Sequence, residues 1–300
     1  MLLPARYFPI RHRRYEVSPG LFPLETDFGN GEADKRVFQI DMQFSRYCAN
    51  KNACRQERLS KYVCFADYND VTDQAVSRWM RARLTTEYPE QFTWQNEADG
   101  MGTLCCALTD ERLPFDAGLR LRPGTIYANA FDALCCQVPE DVAVVRRDET
   151  ERNWIAALHL CAPSRWAAEE KVGTDFGQTH APVPHFEKIA RAAGPLLHTV
   201  ITRAPQVRFA WSVTLDDRLN DHPEPPIHAQ CPTPSATPTF LRVERQTLWG
   251  LPEVNAFVFT IRTYLYPIAE LTPSEQVDLA AALDSMSLQT RRYKGVGNPL

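Results

Sequence analysis

The side chains best suited to chemistry in this 300-residue chain are one framed histidine and a set of strand arginines. His180 sits in QTHAPVPH, where Pro182 and Pro184 fix two φ angles and force an extended path around the ring. A stiff backbone on one side of an imidazole suits a ligand that must keep fixed geometry, as an axial iron ligand does. Taken alone, His180 fits a histidine that caps or satisfies a local turn better than it fits a ligand. Two further histidines, in His185-Phe-Glu187 and His222-Pro-Glu224, match the H-x-[DE] half of a non-haem iron facial triad. With 7 histidines and 37 acidic residues in 300 positions, about one such match arises by chance, so the pattern carries little weight.

The arginines say more. QVRFAWSVTL (206–215) alternates: Val207, Phe209, Trp211 and Val213 on one face, Arg208 and Ser212 on the other, the pattern of a half-buried strand. On the strand predicted over 239–248, Arg242, Glu244 and Gln246 share a face and Arg245 points the other way. Arg262 and Tyr264 lie on the next predicted strand, 256–265. Such groups inside apolar segments are costly to bury unless they pair with one another or with an anion. Two readings follow: an Arg–Glu network on a solvated sheet face, or a pocket whose guanidinium forks hold a ligand's carboxylates.

The elements that would position these groups alternate in type. A helix is predicted over 70–88, capped by Asp70 or Thr72 and ended by Pro89. Residues 134–145 and 154–161 read as β segments, and 186–201 as a helix broken or kinked at Gly194-Pro195. Residues 222–239 are Pro-rich and read as an irregular loop. A helix from Pro273 to about Met286 starts at the capping box Thr272-Pro-Ser-Glu275. Residues 1–35 read as an extended leader packed over the body of one domain spanning 1–300. Hairpin-paired strands with flanking helices predict an α+β fold.

No dinucleotide fingerprint, P-loop, H-E-x-x-H or G-x-S-x-G is present. Redox chemistry would therefore need a bound prosthetic group or a partner's electrons. The nine cysteines include no C-x-x-C and two adjacent pairs, a poor layout for a disulfide framework or a zinc knuckle. Both pairs, in LCCAL (104–108) and ALCCQV (133–138), sit in apolar, strand-like runs and read as buried reduced thiols. Together with the lack of a signal-peptide pattern, this predicts the cytoplasm. A net charge of -4 and the absence of a long apolar run give no reason to expect nucleic acid or a membrane as partner.

Several segments carry a resemblance. They are PED (139–141), W-x-x-x-E-K-x-G at Trp166, Glu170, Lys171 and Gly173, HAPVP (180–184), and R-x-x-W-S at Arg208, Trp211 and Ser212. RVERQTLWGLP (242–252), FTIRTYLYP (259–267) and YKG (293–295) follow in order. Across about residues 35–295 the chain resembles the haem-dependent oxidative N-demethylase α-subunit family. That resemblance implies a PAS-like antiparallel sheet core, haem b, O₂ as co-substrate, a small amine as substrate and a flavin and iron–sulfur reductase as electron donor. It departs at Ala210, where the family pattern has Asn, and at Pro139, where it has Gln.

On this reading His180 is the iron ligand, with Arg242, Arg245, Gln246 and Trp211 against the cofactor. Arg208, Arg262 and Tyr264 would line the distal or substrate side, and Glu244 or Trp211 would hold an amine. Two other classes remain: a haem-binding PAS-like sensor of gas or redox state, and a non-haem iron oxygenase using His180, His185 and Glu187.

Overall fold

A computed structural model describes residues 3–18, 20–184, 186, 193–225, 239–294 and 296. Strands β1 (Phe22–Pro23), β2 (Val63–Phe65), β6 (Asp141–Arg147), β7 (Asn153–His159), β8 (Gln206–Thr214), β9 (Phe240–Leu251) and β10 (Ala256–Pro267) form one sheet. Its order is β1-β8-β9-β10-β6-β7-β2, and every pairing is antiparallel. A second sheet pairs β3 (Phe92–Asn96), β4 (Gly102–Cys106) and β5 (Glu111–Phe115). Mixed helix and antiparallel sheet is the α+β class that the sequence predicts.

Helix α1 is Glu32–Lys35, α2 Phe44–Tyr62, α3 Asp70–Glu87 and α4 Ala130–Cys135. Then come α5 (Ala168–Lys171), α6 (Phe176–His180), α7 (Ala193–Thr202), α8 (Pro273–Asp284) and α9 (Leu288–Lys294). The capping box at Thr272 forms as predicted. Helix α3 is capped by Asn69, whose side chain accepts from Thr72 N at 3.0 Å, rather than by Asp70 or Thr72. In α7, Pro195 falls in the first turn, where a missing N–H removes no helical hydrogen bond, so no kink results. The described part of the predicted 186–201 helix is this α7; His185 and residues 187–192 lie outside the described residues, as do 226–238.

One segment differs from its prediction. Residues 133–138 are not strand: α4 occupies 130–135 because the Asn129 side chain caps it, accepting from Asp132 N at 2.9 Å. The strand starts only after Pro139, at Asp141.

Cross-strand register decides which side chains share a face. Arg208 pairs with Gln246, which pairs with Ile261, and Ala210 pairs with Glu244, which pairs with Thr263. The alternate rows run Phe209–Arg245–Arg262 and Trp211–Val243–Tyr264. The main hydrophobic core packs behind the second set of rows, with Val37, Phe38, Val144 and Val258 fully buried. The first set faces a cavity.

Candidate functional site

That cavity measures about 800 Å³, within the range of small-molecule and cofactor sites. Its floor is the sheet, through Val145, Ile155, Leu158, Phe257 and Phe259. Leu196, Leu197 and Val200 of α7 form an apolar wall, joined by Phe176 and Phe186. Most leader residues between Arg6 and Phe22, residues 163–167, and Tyr293 with Lys294 complete the enclosure.

His180 ends α6 and borders the cavity. A capping box at Asp175 starts that helix, so local sequence sets the ring's position. His180 Nδ1 lies 2.8 Å from the carbonyl oxygen of Phe176. A carbonyl can only accept, so Nδ1 carries the proton and Nε2 keeps its lone pair. The ring is stacked on Phe186 (centroids 5.2 Å, planes 17° apart) and flanked by Phe176 and Trp166. Burial pushes its pKa below the usual histidine value, and the charges of Arg208 and Lys171 add to this. The outcome is a neutral imidazole, fixed in tautomer and orientation, with Nε2 free of protein hydrogen bonds among the described residues.

Arg208 marks the polar end. Its Nε is buried without a partner, and its guanidinium makes no hydrogen bond or ion pair among the described residues. Burial lowers its pKa, with the Glu244 carboxylate pulling the other way. Lys294 lies nearby, its Nζ donating to the Trp211 carbonyl at 3.2 Å, and burial lowers its pKa as well. Glu244 accepts from Gln246 Nε2 at 2.9 Å and has Arg242 Nε 3.6 Å away. The polar end thus holds two cations and one carboxylate that is partly satisfied elsewhere.

A family model described as "Haem-dependent oxidative N-demethylase, alpha subunit-like" matches residues 30–298. The chain belongs to this family. The haem-dependence in the family's description makes a fit test of the cavity possible. The macrocycle of haem b is apolar and its two propionates are anionic. An apolar slot between sheet and α7, a neutral imidazole with Nε2 free among the described residues, and half-buried cations at one end match that polarity.

The remaining predicted residues are distributed by register. His180, Arg208, Glu244 and Gln246 line the cavity, as does part of Trp211, whose ring packs edge-on against Tyr15 at 5.6 Å. Arg242, Arg245, Arg262 and Tyr264 are buried and do not line it. Arg242 donates to the carbonyls of Ala162 (2.6 Å) and Leu219 (3.1 Å). Arg245 donates to those of Arg36 (2.8 Å), Val37 (3.2 Å) and Asp34 (3.3 Å). Arg262 pairs with Asp41 at 2.8 Å and lies over the Tyr47 ring at 3.7 Å, while Tyr264 hydrogen-bonds Gln39 at 3.0 Å. The expectation that Arg208, Arg262 and Tyr264 share one wall is therefore corrected: the register puts Arg208 in a row with Gln246 and Ile261, so Arg262 and Tyr264, each one position on from Ile261 and Thr263, point to the opposite side.

His222 is committed elsewhere, its Nδ1 accepting from Glu224 N at 3.0 Å, and Glu224 faces Arg58 at 3.3 Å. Sequence reading passed over Lys294 and Tyr15. The YKG segment was the available signal for the first; nothing in the leader's sequence marks the second.

Proposed function

We propose that the chain binds haem b in this cavity and, using O₂ and electrons from a partner reductase, oxidatively N-demethylates a small amine. The observation that carries the reading is the pairing, in one cavity, of a tautomer-locked His180 with the unpaired Arg208. The Arg208 guanidinium is half-buried with a buried Nε and no partner among the described residues, so an anion in the cavity would supply what the protein does not. The spatial order of the five central strands, β7-β6-β10-β9-β8, with α5–α7 inserted between β7 and β8 over one face, supports a PAS-like core.

When bound, the haem iron supplies the activation of O₂. The protein's part is placement. His180 Nε2 would hold the iron, and the Phe176 carbonyl, by accepting from Nδ1, raises its basicity and holds the ring's angle. Arg208 and Lys294 meet carboxylates. Glu244 accepts the N–H of a protonated amine, with Gln246 holding its other lone pairs in place. Apolar walls keep water from the slot. Arg245, Arg262 and Tyr264 act behind the wall, fixing β9 and β10 to residues 34–41, while Arg242, on the face of Glu244, ties β9 to the carbonyls of Ala162 and Leu219. One methyl group leaves as formaldehyde for each O₂ and two electrons used, with water as the other product.

The test is an absorption spectrum of the full chain titrated with haemin, followed by turnover with a methylated amine and an artificial reductant. A Soret band that weakens on His180→Ala, with haem affinity down about 10–100-fold or more, is expected. Absence of a Soret band sinks the cofactor assignment. Haem and O₂ binding without formaldehyde release, across a panel of methylated amines, would instead favour a sensor.

A further inference from the structure

Behind the sheet, on the face away from the cavity, lies a cluster that haem chemistry does not use. Leu158 and Leu160 border the cavity, so His159 between them points to the opposite side, toward α2 and α4. Helix α4 carries Asp132, and Cys136 is its C-cap residue. A spacing of four puts both side chains on one face of the helix.

Three atoms meet there. Cys136 Sγ lies 3.9 Å from Asp132 Oδ1 and 3.7 Å from His159 Nε2, and Asp132 Oδ1 lies 3.4 Å from His159 Nε2. The circumradius of a triangle with those edges is about 2.1 Å, close to zinc bond lengths of about 2.0–2.2 Å to nitrogen or oxygen and about 2.3 Å to sulfur. As hydrogen bonds the same contacts are long, and one proton cannot serve all three. The His159 and Asp132 side chains are 0% exposed, so water does not screen them.

Supporting contacts resemble an outer shell. Arg55 donates to both oxygens of Asp132, at 3.0 Å each, and Ala128 N adds a bond at 2.9 Å. On the far side of the imidazole, Cys161 Sγ lies 3.7 Å from Nδ1 and fixes the ring. The donor set of imidazole, thiolate and carboxylate suits zinc better than magnesium or calcium.

We propose that Asp132, Cys136 and His159 form a buried zinc-class cation site that staples helix α4 to strand β7. On binding, the Cys136 thiol releases one proton to solvent and its sulfur bonds the cation; no oxidant or reductant is involved. A second group of three, Asp141, His159 and Cys161, lies on the Nδ1 side of the same imidazole.

The experiment is metal analysis by mass spectrometry of the full chain, supplied with Zn²⁺ and freed of unbound metal. About one zinc per chain is expected, lost in Cys136→Ser and in Asp132→Asn but kept in His180→Ala and Cys105→Ser. Because a core variant can fail to fold, alkylation of the wild-type chain under mild denaturant supplies a second reading. Zn²⁺ should slow modification of Cys136 by about tenfold or more while leaving Cys105 unchanged. Background zinc in the wild type overturns the proposal, as do unaltered stoichiometry in Cys136→Ser and equal protection of both cysteines.

Discussion

At the scale of single residues, the arginines of β8, β9 and β10 divide by whether the protein itself satisfies them. Arg242, Arg245 and Arg262 each meet backbone carbonyls or Asp41, whereas Arg208 meets nothing among the described residues. Arg208→Met should leave the apoprotein as stable or more stable, by about 1–3 kcal/mol, since the burial cost of the cation disappears. Haem affinity should fall about tenfold or more in the same variant, the worth of one charge-assisted hydrogen bond. Thermal melts with and without haemin separate the two effects. Glu87 provides a pH test. Its carboxylate accepts from Val37 and Phe38 N, and burial raises its pKa to about 7. The folded state therefore holds the proton more tightly than the unfolded one, so this contribution to stability is complete below about 4.5 and is lost as pH rises through about 7. The Tm of the wild type relative to Glu87→Gln should decline between those values; a constant difference would show that Glu87 does not titrate there.

At the scale of elements, the cavity depends on how closely α7 lies against β9. A Cβ added at Gly250 would stand 2.1 Å from the Ile201 carbonyl oxygen and 2.7 Å from that of Val200. Both are backbone atoms that cannot rotate away. Gly250→Ala should cost about 1–3 kcal/mol and push α7 off the sheet, which melting and a faster haem off-rate would register together. Much of this level was legible in the chain. Alternation over 206–215 predicted β8 and the face of Arg208, and the box at Thr272 predicted the start of α8. Phe186–Ile201 was read as a helix, but Gly250's role was not, because a close approach between two distant segments leaves no local trace. Residues 133–138 misled for a related reason: their apolar run fits a buried helix turn as well as a strand, and only the Asn129 cap decides. Arg262 and Tyr264 were placed on the wrong face because the side a strand residue takes depends on its partner's register. The thiol–imidazole cluster escaped notice since its three members come from α4 and β7, with no motif spacing between them.

At the scale of the whole molecule, the leader is structural rather than loose. Arg6 pairs with Glu275 at 2.6 Å and Arg13 with Asp278 at 2.7 Å, tying the leader to α8 while most residues between Arg6 and Phe22 wall the cavity. These exposed pairs contribute little stability singly, so the leader's hold rests on aromatic contacts such as Tyr7 with Phe209 at 4.9 Å and Tyr15 with Trp211. Removing residues 1–22 should speed haem loss by about tenfold or more, through the unmade wall and the contacts of Tyr7 and Tyr15; transfer of haem to apomyoglobin measures it, and an unchanged rate would make the leader a bystander. The same enclosure orders events in time. Its walls are drawn from residue 6 at one extreme and Lys294 at the other, with the sheet between. A nascent chain on the ribosome cannot assemble the complete pocket until its last helix has emerged. A ligand that needs the whole enclosure therefore meets it only after α9 has packed against the sheet.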